Sequence, residues 1–193
     1  MKSLLFFSHN QKKIAEVKQI FNNSFLKINS LKELKKIKEP KENGKTFAEN
    51  AKIKSLFGFK IFNIPCFADD SGICVNALRN KPGIYSKRFL RSFKTKNEAF
   101  KYIISATIKK NDNRAFFNTT ICMSLNINQH IFFVGKISGT ISDKPKGSNG
   151  FGYDPIFIPS GFSKTFAEMS NQKKNLLSHR MIAIKKMESF LIN

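Results

Sequence analysis

The sequence of 193 residues contains only three cysteines, five arginines and no tryptophan. Cys66, Cys74 and Cys122 are unevenly spaced, lie in apolar contexts and form no Cys-x-x-Cys motif. This pattern argues against a disulfide scaffold and against a zinc site, and it fits a reducing cytoplasm. No apolar run approaches the ~18 residues of a membrane span, and Leu4–Phe7 is too short for a signal peptide. We therefore expect a folded cytoplasmic protein that makes no membrane contact.

Acidic residues are also scarce, since 13 Asp and Glu face 34 Lys and Arg and leave a net charge of +21. Such an excess is typical of nucleic-acid-binding proteins. The chain is, however, rich in Lys, Asn, Ile and Phe, whose codons are A/T-rich. A surface that binds phosphates would use more arginine, which donates two parallel hydrogen bonds. We therefore favour composition bias, and we keep a basic nucleic-acid-binding module as the alternative.

The order of apolar patterns predicts an α/β fold with a mixed sheet. The length fits one domain spanning residues 1–193, and a hydrophobic content of 41% suffices for a core. Strand patterns cover Lys2–Phe7, Pro65–Ala68, Ile73–Val75, Arg114–Asn126, Ile131–Ile141 and Ile156–Ile158. Helical spacing covers Gln11–Phe21, residues 46–62, Asn97–Ile108 and Ser178–Leu191. The remaining stretches are a helix or loop at Leu31–Lys41, a loop at Lys81–Gly83 and a long glycine-rich loop at Asp143–Pro155.

The helix that begins near residue 46 has a recognisable start. Thr46 is a capping residue, and Glu49, three positions later, would complete a capping box. Lys54 lies in the middle of this helix, where an exposed lysine is the ordinary interpretation. Glu42 precedes the Asn43-Gly44 turn and becomes a metal-ligand candidate only if the fold brings it near Asp70.

Asp69 and Asp70 are adjacent carboxylates at the end of an apolar run, and Ser71-Gly72 follows them. Because like charges close together raise each other's cost of ionisation, a cation must lie nearby, either a divalent metal or lysines. Carboxylate oxygens suit Mg²⁺, which binds through one or two carboxylates together with substrate phosphates. Neighbouring strand residues point to opposite faces, so the two side chains should part. A turn capped by Asp, with Gly72 at a special backbone angle, is an equally valid interpretation of the pair alone.

Three further stretches carry candidate binding residues. The turn after the first strand leads into a helix N-terminus, which binds anions readily, through Ser8, His9, Asn10, Gln11, Lys12 and Lys13. The loop Gly147–Pro155 combines small residues with Phe151 and Tyr153, an arrangement that suits a stacked flat ring. Arg180 opens the last helix and can donate two parallel hydrogen bonds to a planar acceptor. Each stretch has a purely structural explanation too, as a cap, a surface hairpin or an exposed arginine.

Six blocks in this order carry a resemblance that no single block carries. They are SHNQKKIAEV, ENGKTFAENAKIKS, FADDSGICVNAL, PGIYSKRF, SGTISDKPKGSNGFGYDPIF and KTFAEMSNQKKNLLSHR, and they run from residue 8 to residue 180. Together they closely resemble the inosine triphosphate pyrophosphatase family. The resemblance implies Mg²⁺-dependent hydrolysis of ITP, dITP and XTP to the monophosphate and pyrophosphate. It also implies a homodimer, and two lobes around a long mixed sheet flanked by helices, with the active site in the cleft between them.

The resemblance assigns roles residue by residue. Asp70 would be the general base, supported by Asp69, and Glu42 and Asp70 would hold the metal. The triphosphate would contact Ser8, His9, Asn10, Gln11, Lys12, Lys13, Lys54 and Ser71. The base pocket would consist of Phe151, Gly152, Tyr153, Asp154, Lys174, His179 and Arg180. A pyrophosphatase of the same fold that acts on other nucleotides is the alternative within this class.

Overall fold

The structure, a computed structural model, describes residues 3–21, 27–31 and 37–192. Within these ranges, the strands are β1 (Ser3–Phe6), β2 (Lys27–Ser30), β3 (Cys66–Val75), β4 (Lys81–Pro82), β5 (Arg114–Ser124), β6 (His130–Ile141) and β7 (Phe157–Pro159). The helices are α1 (Gln11–Ile20), α2 (Phe47–Phe62), α3 (Ser86–Arg91), α4 (Lys96–Lys110), α5 (Asn171–Leu177) and α6 (His179–Ile192). Part of the predicted segment Leu31–Lys41, residues 32–36, lies outside the described ranges. None of the described helices is both long enough and apolar enough to cross a bilayer.

The strands form one mixed sheet. Its order is β2-β1-β3-β5-β6-β7, and β4 pairs with β3 beside this path. β1 runs parallel to β2 and to β3, whereas β4 is antiparallel to β3 and β7 is antiparallel to β6. Backbone bonds from Leu125 to Gln129 and from Ile141 to Asn113 lie at the two ends of β5 and β6, as in the predicted hairpin. The predicted α/β fold with a mixed sheet and flanking helices is confirmed, whereas the lobes and the cleft stay predictions.

The chain divides into two compact units. The first comprises Met1–Asp70, Thr119–Val134 and Ala183–Asn193, and the second comprises Ser71–Asn118 and Gly135–Ile182. In the second unit, apolar residues of α4 such as Phe100 and Ile103 share a core with Ile73, Phe117 and Phe157 from the sheet. This core supports the segments that carry the predicted base pocket.

Successive side chains of β1 and β3 alternate between the two faces of the sheet in the first unit. Leu4, Phe6 and Phe67 join a core cluster with residues of α1 and α6. Leu5, Phe7, Cys66 and Ala68 join a separate cluster with aromatic residues of α2. Since successive side chains of a strand point to opposite faces, the next two residues of β3 continue this alternation. Asp69 therefore follows Phe67 towards α1, and Asp70 follows Ala68 towards α2.

The structure corrects four details of the sequence prediction. β3 runs without a break through the acidic pair, where two short strands were predicted. Gly72 lies within β3 and not in a turn. A Cβ at this position would come within 2.1 Å of the Gly83 carbonyl oxygen, so glycine permits close backbone packing. The predicted loop at Lys81–Gly83 contains β4, because Lys81 and Pro82 pair with Val75 and Cys74.

The fourth correction concerns the start of α2. The Thr46 hydroxyl accepts a hydrogen bond from the Glu49 backbone N–H, as the capping prediction requires. The Glu49 carboxylate, however, accepts from the backbone N–H of Lys45 at 2.6 Å, one residue before the position that a capping box uses. The helix start is therefore capped as predicted, but by a shifted pairing of its glutamate.

Candidate active site

The connection from β1 to α1 forms an N-terminal cap that presents a lysine to the sheet. Asn10 is the capping residue, and its side-chain oxygen accepts hydrogen bonds from the backbone N–H groups of Lys12 and Lys13. The Ser8 hydroxyl accepts from the Asn10 N–H at 3.3 Å. The first turn of α1 contains no acidic residue, so the partial positive charge of this helix end is reinforced by lysine.

Lys13 reaches from α1 to the acidic pair. Its Nζ donates to Asp69 Oδ2 at 2.9 Å, and the Asp69 side chain is only 2% exposed. A lysine therefore neutralises one of the two carboxylates. Lysine is one of the two kinds of cation that the sequence left open, and a divalent metal is the other. Gln11 and Lys12 are exposed on the same turn, and the His9 ring lies 3.3 Å from Glu39 Oε1.

Asp70 contacts a second set of groups on α2. Its Oδ2 accepts a hydrogen bond from the Asn50 side-chain amide at 3.2 Å, and its Oδ1 lies 3.7 Å from Lys54 Nζ. Lys54 Nζ also contacts Glu42 Oε1 at 2.7 Å. Because Asn50 and Lys54 are four residues apart, they share one face of α2 and point to the same carboxylate. The structure thus brings Glu42, Lys54 and Asp70 together.

Burial and neighbouring charges together set the ionisation of this cluster. Burial raises the pKa of Asp70 above its ordinary value, although the charges of Lys54 and Lys13 and the Asn50 amide oppose the shift. Burial alone would lower the pKa of Lys54, but Asp70, Asp69 and Glu42 together raise it. A carboxylate with a raised pKa, held beside a charged lysine, has the properties that a general base needs.

Asn50 is the residue that sequence reasoning missed. Its amide donates to Asp70, while its side-chain oxygen accepts from the Gly44 backbone N–H at 2.9 Å. A Cβ at position 44 would come within 2.7 Å of that same oxygen, so a glycine is needed there. Asn50 therefore links the turn that follows Glu42 to Asp70. The sequence shows only the spacing of four residues between Asn50 and Lys54, which places them on one face of a helix without indicating that they are buried.

The donor chemistry of the cluster fits a hard divalent cation. The carboxylates of Glu42 and Asp70 approach the same ammonium group, so a small cation can be shared between their oxygens. Two carboxylates plus substrate phosphates are the ligands that Mg²⁺ usually takes. Within the part of the chain that the structure describes, no group of three or more His, Cys, Asp and Glu side chains is suitably placed for a metal. The protein alone thus provides a partial ligand set.

In the second unit, Asp154 and Lys174 form a buried ion pair. Lys174 Nζ lies 2.7 Å from Asp154 Oδ2, and the two side chains are 3% and 4% exposed. The same oxygen accepts from the Phe151 N–H at 2.6 Å, and the Lys174 ammonium lies 4.6 Å from the centre of the Phe151 ring. Removing one partner of such a buried pair costs roughly 3–5 kcal/mol. The pair therefore fixes the loop that carries Phe151.

Gly150 and Gly152 shape the same loop. Both residues have positive φ angles, of 72° and 65°, which favour glycine. A Cβ at Gly150 would lie 2.1 Å from Asp154 Oδ2, whereas no atom of the described residues, apart from the chain neighbours of Gly152, lies within 4 Å of a Cβ at Gly152. Gly150 is thus needed for both conformation and space, and Gly152 for conformation alone.

Tyr153 is directed into the core of the second unit. It is 3% exposed, its hydroxyl donates to the Ser86 carbonyl at 2.8 Å, and burial raises its pKa. Of the aromatic residues in the predicted pocket, Phe151 is the one that remains partly exposed. Tyr153 therefore anchors the loop in this structure rather than presenting a surface for a ring.

His179 and Arg180 begin α6 as buried side chains. The His179 ring stacks on Phe117 with 4.7 Å between centroids and an angle of 8° between the ring planes. Arg180 is 2% exposed and donates from Nη2 to Ser71 Oγ at 3.3 Å. The structure thus brings together Ser71 and Arg180, for which the family resemblance implies contacts with the triphosphate and with the base respectively.

Comparisons with known proteins agree over almost the whole chain. The family model described as the Ham1 family matches residues 4–190. A dITP/XTP pyrophosphatase of Christiangramia forsetii is 36% identical over 188 residues, which are 97% of this chain and 98% of that protein. The solved structure of a HAM1 protein from Coxiella burnetii has a TM-score of 0.88 at 33% identity and covers 100% of this chain and 99% of its own. The Ham1 protein of Staphylococcus aureus has a TM-score of 0.85 at 38% identity, with 98% of both chains covered.

Proposed function

The chain belongs to the Ham1 family, and from this membership and its buried carboxylate–lysine cluster we propose that it hydrolyses non-standard purine nucleoside triphosphates. The substrates are dITP, XTP and ITP, and the products are the nucleoside monophosphate and pyrophosphate. The enzyme thereby removes these nucleotides from the pool. Relatives that are 34–39% identical over most of their length, named dITP/XTP pyrophosphatases, support this assignment.

The observation that carries the mechanism is the position of Asp70 between Asn50 and Lys54. Water attacks the α-phosphorus, its proton passes to the Asp70 carboxylate, and the bond to the bridging oxygen breaks as pyrophosphate leaves. Burial, which raises the pKa of Asp70, makes its carboxylate a stronger base for this transfer. Asp69 supports the base by holding Lys13, whose charge also acts on Asp70.

Binding of the triphosphate needs positive charge more than covalent chemistry. Lys13 and Lys54 supply two ammonium groups, and residues 8–13 supply a helix N-terminus, which favours anions. We assign Ser8, His9, Asn10, Gln11, Lys12, Lys13, Lys54 and Ser71 to the phosphate chain. Lys54 already contacts two carboxylates, so it is held in place before a substrate arrives.

Glu42 and Asp70 would hold Mg²⁺ in this enzyme, because their carboxylates converge and match the preference of that ion for oxygen. When bound, the ion neutralises charge on the phosphates and polarises them for attack. In the absence of added metal we therefore expect little turnover.

For the purine base we assign Phe151, Gly152, Asp154, Lys174, His179 and Arg180, with Tyr153 anchoring the loop. A donor such as Arg180 favours the 6-carbonyl of hypoxanthine and xanthine and would be left unpaired against the 6-amino group of adenine. Such a loss costs roughly 1–3 kcal/mol, about five- to 150-fold in kcat/KM. The partly exposed Phe151 ring, backed by Lys174, offers the surface on which a flat base can stack.

An assay of pyrophosphate release tests the proposal. The substrates are dITP, ITP, XTP, GTP and ATP, with and without Mg²⁺, and the variant is Asp70→Asn. We expect a strong preference for dITP, ITP and XTP and a loss of at least about 10³-fold in kcat for Asp70→Asn, as for loss of a general base in an electrostatic site.

Asp143→Asn is the matched control. Asp143 is an exposed aspartate, paired with Lys146 three residues later, so this variant should retain wild-type rates. Equal turnover of ATP would contradict the proposed specificity, and full activity of Asp70→Asn would contradict the proposed base.

We also propose that the enzyme is a cytoplasmic homodimer. The family resemblance supports the dimer, and three buried cysteines without disulfides support a reducing compartment. Light scattering coupled to size exclusion should give twice the mass of the 22.0 kDa chain, and cell fractionation should place the protein with cytoplasmic markers. A mass of one chain at assay concentration would contradict the dimer.

A further inference from the structure

The segment from Arg79 to Lys110 concentrates positive charge in the second unit. It contains ten lysines and arginines and one acidic residue, Glu98, and therefore carries a net charge of +9. Less than one fifth of the residues thus hold more than two fifths of the total charge of +21. Three of the five arginines of the chain, Arg79, Arg88 and Arg91, lie here. A composition bias that acts on the whole chain does not explain such local concentration.

All ten basic side chains of this segment are exposed. They lie on the turn before β4, at the start of β4, on α3, on the loop that follows α3 and on the outer face of α4. The inner face of α4 is apolar, with Ala99, Phe100 and Ile103 buried in the core. The fold therefore separates the segment into a core side and a strongly cationic solvent side.

Aromatic rings are interspersed with these cations. Tyr85 is 51% exposed and Tyr102 is 52% exposed. Tyr102 belongs to an aromatic cluster with Phe89 and Phe93, whose centroids lie 5.1 Å from each other and 5.8 Å from that of Tyr102. This cluster joins α3 to the first turns of α4. The Arg88 guanidinium lies 5.3 Å from the centre of the Tyr85 ring.

Rings and cations together identify the ligand class. Cations alone bind any polyanion, and phosphate contacts carry no information about bases. Exposed aromatic side chains add stacking, which only unpaired bases can use, because a duplex hides their faces. We propose that the basic aromatic surface formed by α3, the start of α4 and the loop between them binds single-stranded nucleic acid. The surface uses none of the candidate active-site residues, so the proposal is independent of the proposed hydrolysis.

Fluorescence anisotropy with labelled oligo(dT) and oligo(U) of about 20 nucleotides tests the proposal. The charge variant is Arg91→Glu with Lys94→Glu, and its matched control is Lys60→Glu with Lys185→Glu, two exposed lysines of the first unit. Both variants change the net charge equally. We expect the charge variant to weaken binding at least about tenfold and to make the log–log salt slope shallower by about 1.4, as for two lost phosphate contacts. The control should change affinity less than about threefold.

A second variant isolates the rings. Tyr85→Ala with Tyr102→Ala should weaken oligonucleotide binding roughly tenfold or more, because two stacking surfaces are lost, and should leave heparin binding unchanged.

Three outcomes would overturn the proposal. Equal losses of affinity in the charge variant and its control would show a general charge effect, and equal affinity for a DNA duplex would show that unpaired bases are not recognised. If the charge variant dissociates a dimer while oligonucleotide affinity holds, the surface is an interface between copies and the proposal is wrong. The kcat of pyrophosphate release at saturating dITP should remain unchanged throughout.

Discussion

Asp69 and Asp70 are neighbours in the sequence but contact different helices. Lys13 of α1 neutralises Asp69, and Asn50 and Lys54 of α2 contact Asp70. The separation follows from the alternation of side chains along β3, which places one carboxylate on each face. It also gives them different chemistry, because Asp69 lies directly against Lys13 at 2.9 Å, whereas Lys54 Nζ lies 3.7 Å from Asp70. We infer that Asp69 is structural and that Asp70 is available to react.

Asn50 allows the arrangement around Asp70 to be tested at a single residue. Asn50→Ala removes the hydrogen bond to Asp70 and the acceptor of the Gly44 N–H. We expect kcat for dITP hydrolysis to fall at least about tenfold, with KM within about threefold, because the base is misplaced while phosphate contacts remain. Leaving buried groups unpaired should also lower the free energy of unfolding by about 1–3 kcal/mol. Steady-state kinetics and denaturant unfolding measure the two effects separately.

Two further substitutions make this prediction specific to position 50. Asn50→Asp should lose more activity than Asn50→Ala, because it sets another carboxylate against Asp70 in a buried site. Asn97→Ala, in the exposed first turn of α4, should change neither kcat nor stability appreciably. A lower stability of Asn50→Ala with unchanged kcat would limit Asn50 to a structural role.

At the scale of secondary structure, long periodic segments were predictable and short ones were not. α1 and α4 were predicted within two residues, because their apolar spacing and caps are local properties. α3 and α5 were missed, since six or seven residues give too short a pattern to recognise. β3 was predicted as two pieces because Gly72 suggests a turn, whereas its role depends on the distant Gly83 carbonyl.

The candidate site shows the same division between local and long-range information. The residue types of the acidic pair and the lysines indicated charge compensation, and strand alternation predicted that the two aspartates would part. Which helix meets which carboxylate depends on how α1 and α2 pack on the sheet, and no local pattern encodes that. Asn50 was missed for this reason, because its contacts are to residues 6 positions before it and 20 positions after it. The predicted membership of the family, confirmed over residues 4–190, came from the order of several blocks rather than from any one.

At the scale of the whole molecule, the net charge of +21 creates a field that acts on every anionic ligand. The physical effect of this charge does not depend on its origin. A nucleoside triphosphate is strongly anionic and should be attracted from beyond contact distance. Raising the salt concentration from about 25 mM to about 300 mM shortens the screening length from roughly 20 Å to roughly 6 Å. The attraction should weaken accordingly.

We therefore expect kcat/KM for dITP to fall roughly three- to tenfold over this range, while kcat changes less than about twofold, because the chemical step occurs after binding. The measurement is pyrophosphate release at several NaCl concentrations, with free Mg²⁺ held constant.

Two double variants lower the net charge equally, namely Arg91→Glu with Lys94→Glu and Lys60→Glu with Lys185→Glu. If the attraction depends on the total charge, the salt dependence of kcat/KM should become equally shallow in both. A kcat/KM that does not respond to salt would mean that only the local charges of Lys13 and Lys54 attract the substrate. A response confined to the first variant would instead assign the attraction to the basic aromatic surface.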